Sequence, residues 1–171
     1  MTINNDMLLK ILESREQRAV YQNTLIQKHH SSLVSFTLNI PGPEKDSLLF
    51  RKIHHEGMST LQRAINDQTV IVFQESKFLE TGPEGYICTN MDGIRLKHLT
   101  THIESTHPLG RVFDFDVFDD QLVKIGRIDI GYSERTCLLC SQNAYICRRE
   151  QNHSLSELLE KINTMAMDYF E

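Results

Sequence analysis

The stretch Gly110–Asp119, G-R-V-F-D-F-D-V-F-D, places two aspartates one residue apart in a run of Phe and Val. Residues i and i+2 of a β-strand share a face, so Asp114 and Asp116 are expected to point the same way. The aromatic and Val side chains between them then point to the other face, into a core. The stretch therefore predicts a half-buried strand, and the remaining elements are placed around it.

Hydrophobic periodicity on both sides of this strand predicts the other elements. Apolar residues at every third or fourth position predict helices at about 6–28, 47–66, 93–105, 137–150 and 154–170. Alternation predicts strands at 32–40, 70–73, 85–89 and 111–118, with 122–130 as the hairpin partner of the last. This order predicts an α+β fold, a single domain over residues 1–171 with a mixed or antiparallel sheet flanked by helices.

Composition limits the class of protein. A chain of 171 residues with 40% hydrophobic and 24% charged residues is ordinary for one globular domain. Its net charge of −5 argues against nucleic-acid binding, which generally needs a basic face. The first residues lack the pattern of a signal peptide, and no apolar run approaches the roughly 20 residues that span a bilayer. We therefore expect a cytoplasmic protein without membrane contact.

The aspartate pair has two interpretations. Two neighbouring carboxylates raise each other's pKa unless a cation lies between them, and a divalent ion with its preference for oxygen ligands meets that need. The alternative is ordinary strand alternation, with the polar face in solvent. Residues 112–120 carry four acids and no cation, and a basic segment follows. That order suits a metal-bound polyphosphate, although a mixed surface produces the same pattern.

Several residues near the pair could contact phosphate. Gly110 would allow close backbone approach to a ligand, and Arg111 supplies a forked donor. Arg127 and Arg135 are further candidates, and each could equally be a surface arginine. His107 could accept a proton, although a histidine before proline is also a common loop residue.

The cysteines form a second candidate site. Cys137, Cys140, Cys147 and His153 begin with a spacing known from zinc sites. If 137–150 is helical, however, Cys140 and Cys147 lie on one face, and small buried thiols in a helix contact explain them. The predicted helix favours packing. In either case, thiols or metal ligands are expected in place of disulfides.

Three stretches together resemble a known family: N-I-P-G-P-E-K at 39–45, H-P-L-G-R-V-F-D-F-D-V at 107–117 and R-T-C-L-L-C-S-Q-N-A-Y-I-C-R-R-E-Q-N-H-S at 135–154. In order and spacing they resemble the citrate lyase holo-acyl-carrier-protein synthases, the apo-citrate lyase phosphoribosyl-dephospho-coenzyme A transferases. The resemblance extends from about residue 8 to residue 162.

The resemblance implies a nucleotidyltransferase-like fold and reaction. The family transfers the phosphoribosyl-dephospho-coenzyme A group from 2′-(5″-triphosphoribosyl)-3′-dephospho-coenzyme A to a serine of the citrate lyase acyl carrier protein, the gamma subunit, releasing pyrophosphate. The family pattern G-R-x-x-D-x-D-V falls on Gly110, Arg111, Asp114, Asp116 and Val117. It implies Mg2+ on the two aspartates as the cofactor. Arg111, Arg127, Arg135 and Lys45 are then expected at the triphosphate.

The partner and the proton acceptor are less determined. An acidic carrier needs a local basic patch on this acidic enzyme, and Arg148 and Arg149 with Lys124 are the candidates.

The base could be an aspartate, a metal-bound water or His107, and Asp129 could supply a third acid. Two other functions remain open: a non-catalytic module stabilised by zinc, and the same transfer to a malonate decarboxylase carrier.

Overall fold

The computed structural model of the chain describes residues 5–171, and its centre is a five-stranded antiparallel sheet. The strands are β1 (Ser32–Leu38), β2 (Ile71–Leu79), β3 (Gly82–Thr89), β4 (Phe113–Phe118) and β5 (Lys124–Ile125), in the order β2-β3-β1-β4-β5. The helices are α1 (Asn5–His29), α2 (Leu48–Asn66), α3 (Gly93–Thr106), α4 (Ala144–Arg149) and α5 (Leu155–Phe170), with a 3₁₀ turn at Ile128–Ile130. The predicted α+β class, single domain and helix-flanked sheet are confirmed. The first four residues of the predicted span lie outside the described residues.

Strand β4 has the predicted alternation. Its Phe113 and Phe115 side chains are buried, whereas Asp114 and Asp116 are only partly covered. The strand pairs with β1, which sets Asp114 opposite Thr37 and Asp116 opposite Ser35. The acid pair therefore lies on one face of β4, with small polar side chains of the central strand β1 beside it.

Helices cover the two faces of the sheet unequally. The face of Phe113 and Phe115 packs against α2, α3 and α5 in the larger core cluster. The opposite face packs against α1 through Leu25 and Ile26 in a smaller cluster. Because α1 covers β1 and β3, the acid pair on β4 remains open beside it. None of the described helices is long and apolar enough to cross a bilayer.

The predicted helix boundaries are partly confirmed. Ser47 caps α2 by accepting a hydrogen bond from the Phe50 N–H, and Ser154 forms a capping box with Glu157 at the start of α5. The helix predicted at 137–150 is wrong in its first half. Only Ala144–Arg149 is helical, because the Asn143 side chain accepts from the backbone N–H groups of Tyr145 and Ile146 and starts the helix there.

Two strand predictions are also corrected. The hairpin partner predicted at 122–130 is only the two-residue β5, after which Asp129 accepts from the Gly126 N–H within a loop. The strand predicted at 85–89 begins earlier, at Gly82, so that Pro83 lies inside β3 opposite Phe78. β1 pairs with β3 only from Gly85 onward, so the proline occupies an edge position, where a missing N–H is tolerated.

A buried histidine makes the fold sensitive to acid. His54 on α2 is fully buried, stacks on Phe36 at 4.8 Å, and neither ring nitrogen has a hydrogen-bond partner among the described residues. Burial, assisted by the neighbouring His55, lowers the pKa of His54 from 6.5 to about 4. The unfolded chain therefore takes up this proton first, and the folded state loses stability as pH falls from 6.5 towards 4.

We expect this loss to amount to about 2–3 kcal/mol between pH 7 and pH 4.5. Urea unfolding at the two pH values measures it, and His54→Leu should remove most of the difference. The exposed neighbour His55 supplies the control, since burial is the larger cause of the His54 shift and His55→Leu should keep most of the pH dependence. An equal pH dependence in His54→Leu and the wild type would contradict this interpretation.

Candidate active site

The acid pair lies on the floor of a cleft of about 1970 Å3. Ser35, Thr37, Asp114 and Asp116 form the floor, α1 forms one wall, and residues 134–158 form the other. The loop at 39–45 closes one end. Typical small-molecule pockets measure roughly 300–1000 Å3, so this cleft has room for a ligand of coenzyme size.

The two carboxylates differ in their partners. Asp116 lies 2.8 Å from the Lys124 ammonium, while Asp114 lies 3.6 Å from the Arg135 guanidinium. Desolvation, followed by the charge of Asp116, raises the pKa of Asp114 above its ordinary value, although Arg135 opposes the shift. The charge on Asp114 is therefore incompletely compensated in the protein alone.

A buried carboxylate that sequence reasoning missed organises the arginines. Glu104 on α3 has a side chain only 1% exposed, and its oxygens lie 2.7 Å from Arg127 and 2.5 Å from Arg135. The same carboxylate accepts from the Phe115 N–H at 2.9 Å. Strand β5 pairs with β4 only at Val117 and Phe118, so the Phe115 N–H has no strand partner on that edge. Glu104 therefore satisfies this free N–H and also holds two cleft arginines.

Lys97, together with a second contact of Arg135, completes this edge. Lys97 donates to the Phe115 carbonyl and Arg135 to the Phe113 carbonyl, both at 2.9 Å. Burial lowers the pKa of Lys97, while Glu104 and Asp116 raise it in part. The spacing of Lys97 and Glu104, seven residues on one helix, was the available sequence signal, because such residues share a helix face.

Gly110 and Arg111 support the site from outside the cleft. A Cβ on Gly110 would lie 2.6 Å from the carbonyl oxygens of Ile103 and Glu104, so this glycine packs against the end of α3. Arg111 donates to the carbonyls of Thr136 and Cys137. Burial, then the charges of Arg135 and Arg127, lower the pKa of Arg111. Gly110 and Arg111 therefore both make structural contacts. These contacts depend on close packing, which could not be predicted from the sequence.

His107 and Asp129 are not in the cleft. His107 packs on Phe113 with ring centroids 5.1 Å apart, and its Nε2 lies 3.6 Å from Glu56. Phe113 faces the larger core, so His107 lies on the opposite side of the sheet from Asp114. Asp129 accepts from the Gly126 N–H and serves the loop.

The far end of the cleft carries more cations. Lys45 donates to the Ile40 carbonyl, and burial, followed by the charge of Arg15, lowers the pKa of Lys45. Arg15 and Arg18 line the same end from α1, and sequence reasoning missed both. Arg18 lies 3.6 Å from the buried Glu84.

The cleft is locally positive in an acidic protein. Its lining includes five carboxylates, Glu44, Glu84, Asp114, Asp116 and Glu134. It also includes seven cations, Arg15, Arg18, Lys45, Lys124, Arg127, Arg135 and Arg148. An excess of cations in a chain of net charge −5 suits an anionic ligand of several charges.

Helix α4 presents a mixed surface beside the cleft. Arg148 and Arg149 are exposed, together with Tyr145 at 62% and Ile146 at 43%. Arg148 and Tyr145 also line the cleft. Lys124, predicted to join this basic patch, pairs with Asp116.

The cysteines and His153 converge on one point. The Sγ atoms of Cys137, Cys140 and Cys147 and one ring nitrogen of His153 all lie within 4.8 Å of one another. The prediction that the thiols pack in a helix contact is wrong, because Cys137 and Cys140 lie in a loop before α4.

A family model describing apo-citrate lyase phosphoribosyl-dephospho-CoA transferase matches residues 7–169. Curated proteins named apo-citrate lyase phosphoribosyl-dephospho-CoA transferase are similar over the same length. Those of Escherichia coli O139:H28 (strain E24377A / ETEC) and of Shigella boydii serotype 18 (strain CDC 3083-94 / BS512) are each 34% identical over 160 residues, 93% of this chain and 87% of the relative.

Proposed function

The chain belongs to the apo-citrate lyase phosphoribosyl-dephospho-CoA transferase family, and we propose that Asp114 and Asp116 form the centre of its transfer reaction. The group donor is the triphosphoribosyl-dephospho-coenzyme A precursor, and the acceptor is a serine of the citrate lyase acyl carrier protein. The observation that carries this proposal is the pair of carboxylates on the floor of a coenzyme-sized, cation-rich cleft.

The proposed reaction is of the nucleotidyltransferase type. The serine oxygen attacks the α-phosphorus of the ribosyl triphosphate, and the bond from that phosphorus to the oxygen bridging it to the β-phosphorus breaks. Pyrophosphate leaves, and the carrier retains a phosphodiester to the ribose. The serine proton passes to a carboxylate on the cleft floor or to a water in the cleft, since His107 lies across the sheet.

Asp114 and Asp116 fit a divalent cation. Both offer oxygen donors, their Cα atoms are about 7 Å apart along one strand face, and burial has already raised the pKa of Asp114. The Lys124–Asp116 pair is no obstacle, because the Lys124 side chain is 55% exposed and such pairs contribute at most about 1 kcal/mol. Mg2+ held there would supply neutralisation of the triphosphate charge as pyrophosphate departs.

The arginines bind and orient the triphosphate in this proposal. Arg127 and Arg135 reach the cleft from a fixed anchor on Glu104, so their positions are set before the ligand arrives. Lys45 and Arg15 provide positive charge at the other end of the cleft. Arg111 acts as a positioning residue, since its donors are engaged by the loop at 136–137.

The intact mass of the apo carrier protein tests the reaction. After incubation with enzyme, precursor and Mg2+, the carrier should gain the mass of one phosphoribosyl-dephospho-coenzyme A group. A carrier with its acceptor serine replaced by alanine, and a reaction with EDTA, should gain nothing. Modification that survives EDTA would overturn the metal assignment, and modification of only a malonate decarboxylase carrier would overturn the acceptor.

We propose that the carrier docks on α4 through Arg148 and Arg149. Lys124, which lies nearer the acid pair, contributes a further positive charge to this docking surface. The exposed Tyr145 and Ile146 beside them supply apolar contact, a combination that suits an acidic partner. Replacing both arginines with glutamate should weaken carrier binding about tenfold or more. Arg149→Glu alone, at a residue outside the cleft lining, should weaken carrier binding and leave precursor binding unchanged.

Surface plasmon resonance with immobilised apo carrier measures this change. The matched control is the double charge reversal Lys28→Glu with Lys161→Glu, which alters two exposed cations on α1 and α5. If the control weakens binding as much as the α4 variant, total charge explains the effect and the docking proposal fails.

A further inference from the structure

Residues 126–153, which include most of the cleft wall at 134–158, have no hydrophobic core of their own. Within this range only Cys147 is buried, and the regular structure is a 3₁₀ turn, the isolated bridge between Thr136 and Asn143, and the short α4. Loops beyond about 12–15 residues with so little structure are uncommon in compact domains. Something besides apolar burial is needed to hold this wall in place.

The one buried residue of the wall belongs to a cluster of four soft ligands. The Cys140 and Cys147 Sγ atoms are 3.9 Å apart, and the His153 Nε2 lies 3.3 Å from the Cys140 Sγ. Around a tetrahedral zinc ion with ordinary bond lengths, two sulfurs lie about 3.8 Å apart, and a sulfur and a nitrogen about 3.6 Å. These two separations are close to the tetrahedral values, and all four ligand atoms lie within 4.8 Å of one another.

Neither a disulfide nor simple packing accounts for all four side chains of the cluster. A disulfide has its sulfurs about 2.05 Å apart, whereas this cluster brings three thiols together and all are free. Packing alone gives no reason for His153, whose ring nitrogen faces a thiol in a half-buried position. The Leu139 N–H also lies 3.5 Å from the Cys137 Sγ, an outer contact of the kind that orients metal ligands.

We propose that Cys137, Cys140, Cys147 and His153 bind a structural zinc ion that holds this wall of the cleft. All four positions are filled by protein, so the site is closed and leaves no place for a catalytic water. It is distinct from the oxygen site at Asp114 and Asp116, because thiolates and imidazole select zinc whereas carboxylates suit Mg2+.

The zinc site is connected to the cleft through two arginines. Arg135, two residues before Cys137, reaches both Glu104 and Asp114. Arg111 donates to the carbonyls of Thr136 and Cys137 itself. A zinc ion fixing Cys137 therefore fixes the backbone that places these guanidinium groups.

Metal analysis of the full chain, purified without a polyhistidine tag, tests the proposal. We expect about one zinc per chain in the wild type. Replacement by Co2+ should give the visible absorption of a tetrahedral ion together with a thiolate charge-transfer band. Cys140→Ala should lose the zinc, while Cys88→Ala, at a buried thiol in the core of α1 and β3, should keep it.

A second pair of histidine variants and a structural readout complete the test. His153→Asn should lose zinc, and His102→Asn, on the exposed face of α3, should not. Chelation of the wild type should raise hydrogen exchange across 131–153 and leave β1 and β3 protected. Absence of zinc and of cobalt thiolate absorption would overturn the site, and chelation without change in 131–153 would overturn its role in holding the wall.

Discussion

Replacing Asp114 with Asn is expected to lower the transfer rate roughly a thousandfold, because a metal site at developing phosphate charge contributes several kcal/mol. The amide keeps the size of the side chain and leaves the strand pairing to β1 intact. It removes the charge that attracts a divalent cation. The rate of mass gain of the carrier, at saturating precursor and Mg2+, measures the effect.

The same variant should not lose stability. The raised pKa of Asp114 means that its charged form is disfavoured in the folded protein, chiefly by desolvation and by Asp116. A carboxyl with a raised pKa weakens the fold as pH rises through that value, so a neutral amide removes a cost at pH 7. The melting temperature of Asp114→Asn without metal should equal or exceed that of the wild type.

Asp120 provides the matched control. It is exposed and follows β4, and Asp120→Asn changes the same charge without touching the cleft floor. We expect wild-type rate and stability. A full transfer rate in Asp114→Asn, or equal losses in both variants, would remove Asp114 from the site.

Replacing Glu104 with Ala is expected to have the largest effect on stability, about 3–5 kcal/mol. The change leaves Arg127, Arg135 and the Phe115 N–H without the buried carboxylate that binds all three. For a chain of this size that loss lowers the melting temperature by on the order of 10 °C. Urea unfolding and thermal melting both measure it.

Glu80→Ala is the control for a carboxylate in an exposed pair. Glu80 lies 3.1 Å from Lys10, and its side chain is 65% exposed, so this change should cost less than about 1 kcal/mol. Glu104→Gln should fall between the two, because the amide oxygen can still accept from the Phe115 N–H. Equal stability in Glu104→Ala and Glu80→Ala would show that Glu104 does not anchor the arginines.

These two acids illustrate what distinguishes a functional residue from a structural one. Glu104 is buried and fully partnered, so its loss should destabilise the protein first and the reaction as a consequence. Asp114 is 47% exposed with one distant partner, so its loss should affect the reaction alone. Stability and activity measured together separate the two roles.

Much of the fold followed from local patterns. The alternation around Asp114 predicted β4 and its buried face, and the apolar periodicity predicted helices at 47–66 and 154–170, close to the observed α2 and α5. The prediction of a helix at 137–150 was wrong in its first half. The spacing of the cysteines fits one face of a helix, but it fits a loop that brings the thiols together equally well. The Asn143 cap, visible in the sequence, marked the real start of α4.

The site was less accessible to sequence reasoning. Asp114, Asp116, Arg127 and Arg135 were all predicted, and the structure brings them to one cleft. Glu104 was missed because an acid on an amphipathic helix is usually solvated, and its burial depends on the free edge of β4. Arg15 and Arg18 were missed because only the packing of α1 across the sheet brings them to the cleft.

Manganese binding tests the central claim most directly, since Mn2+ replaces Mg2+ at oxygen ligands and is readily followed by electron paramagnetic resonance. Enzyme with the precursor should remove about one Mn2+ per chain from the free signal in the wild type and in Asp120→Asn. Asp114→Asn should remove far less at the same concentrations, after correction for precursor alone. Equal Mn2+ binding by Asp114→Asn and the wild type would contradict a metal site at Asp114 and Asp116.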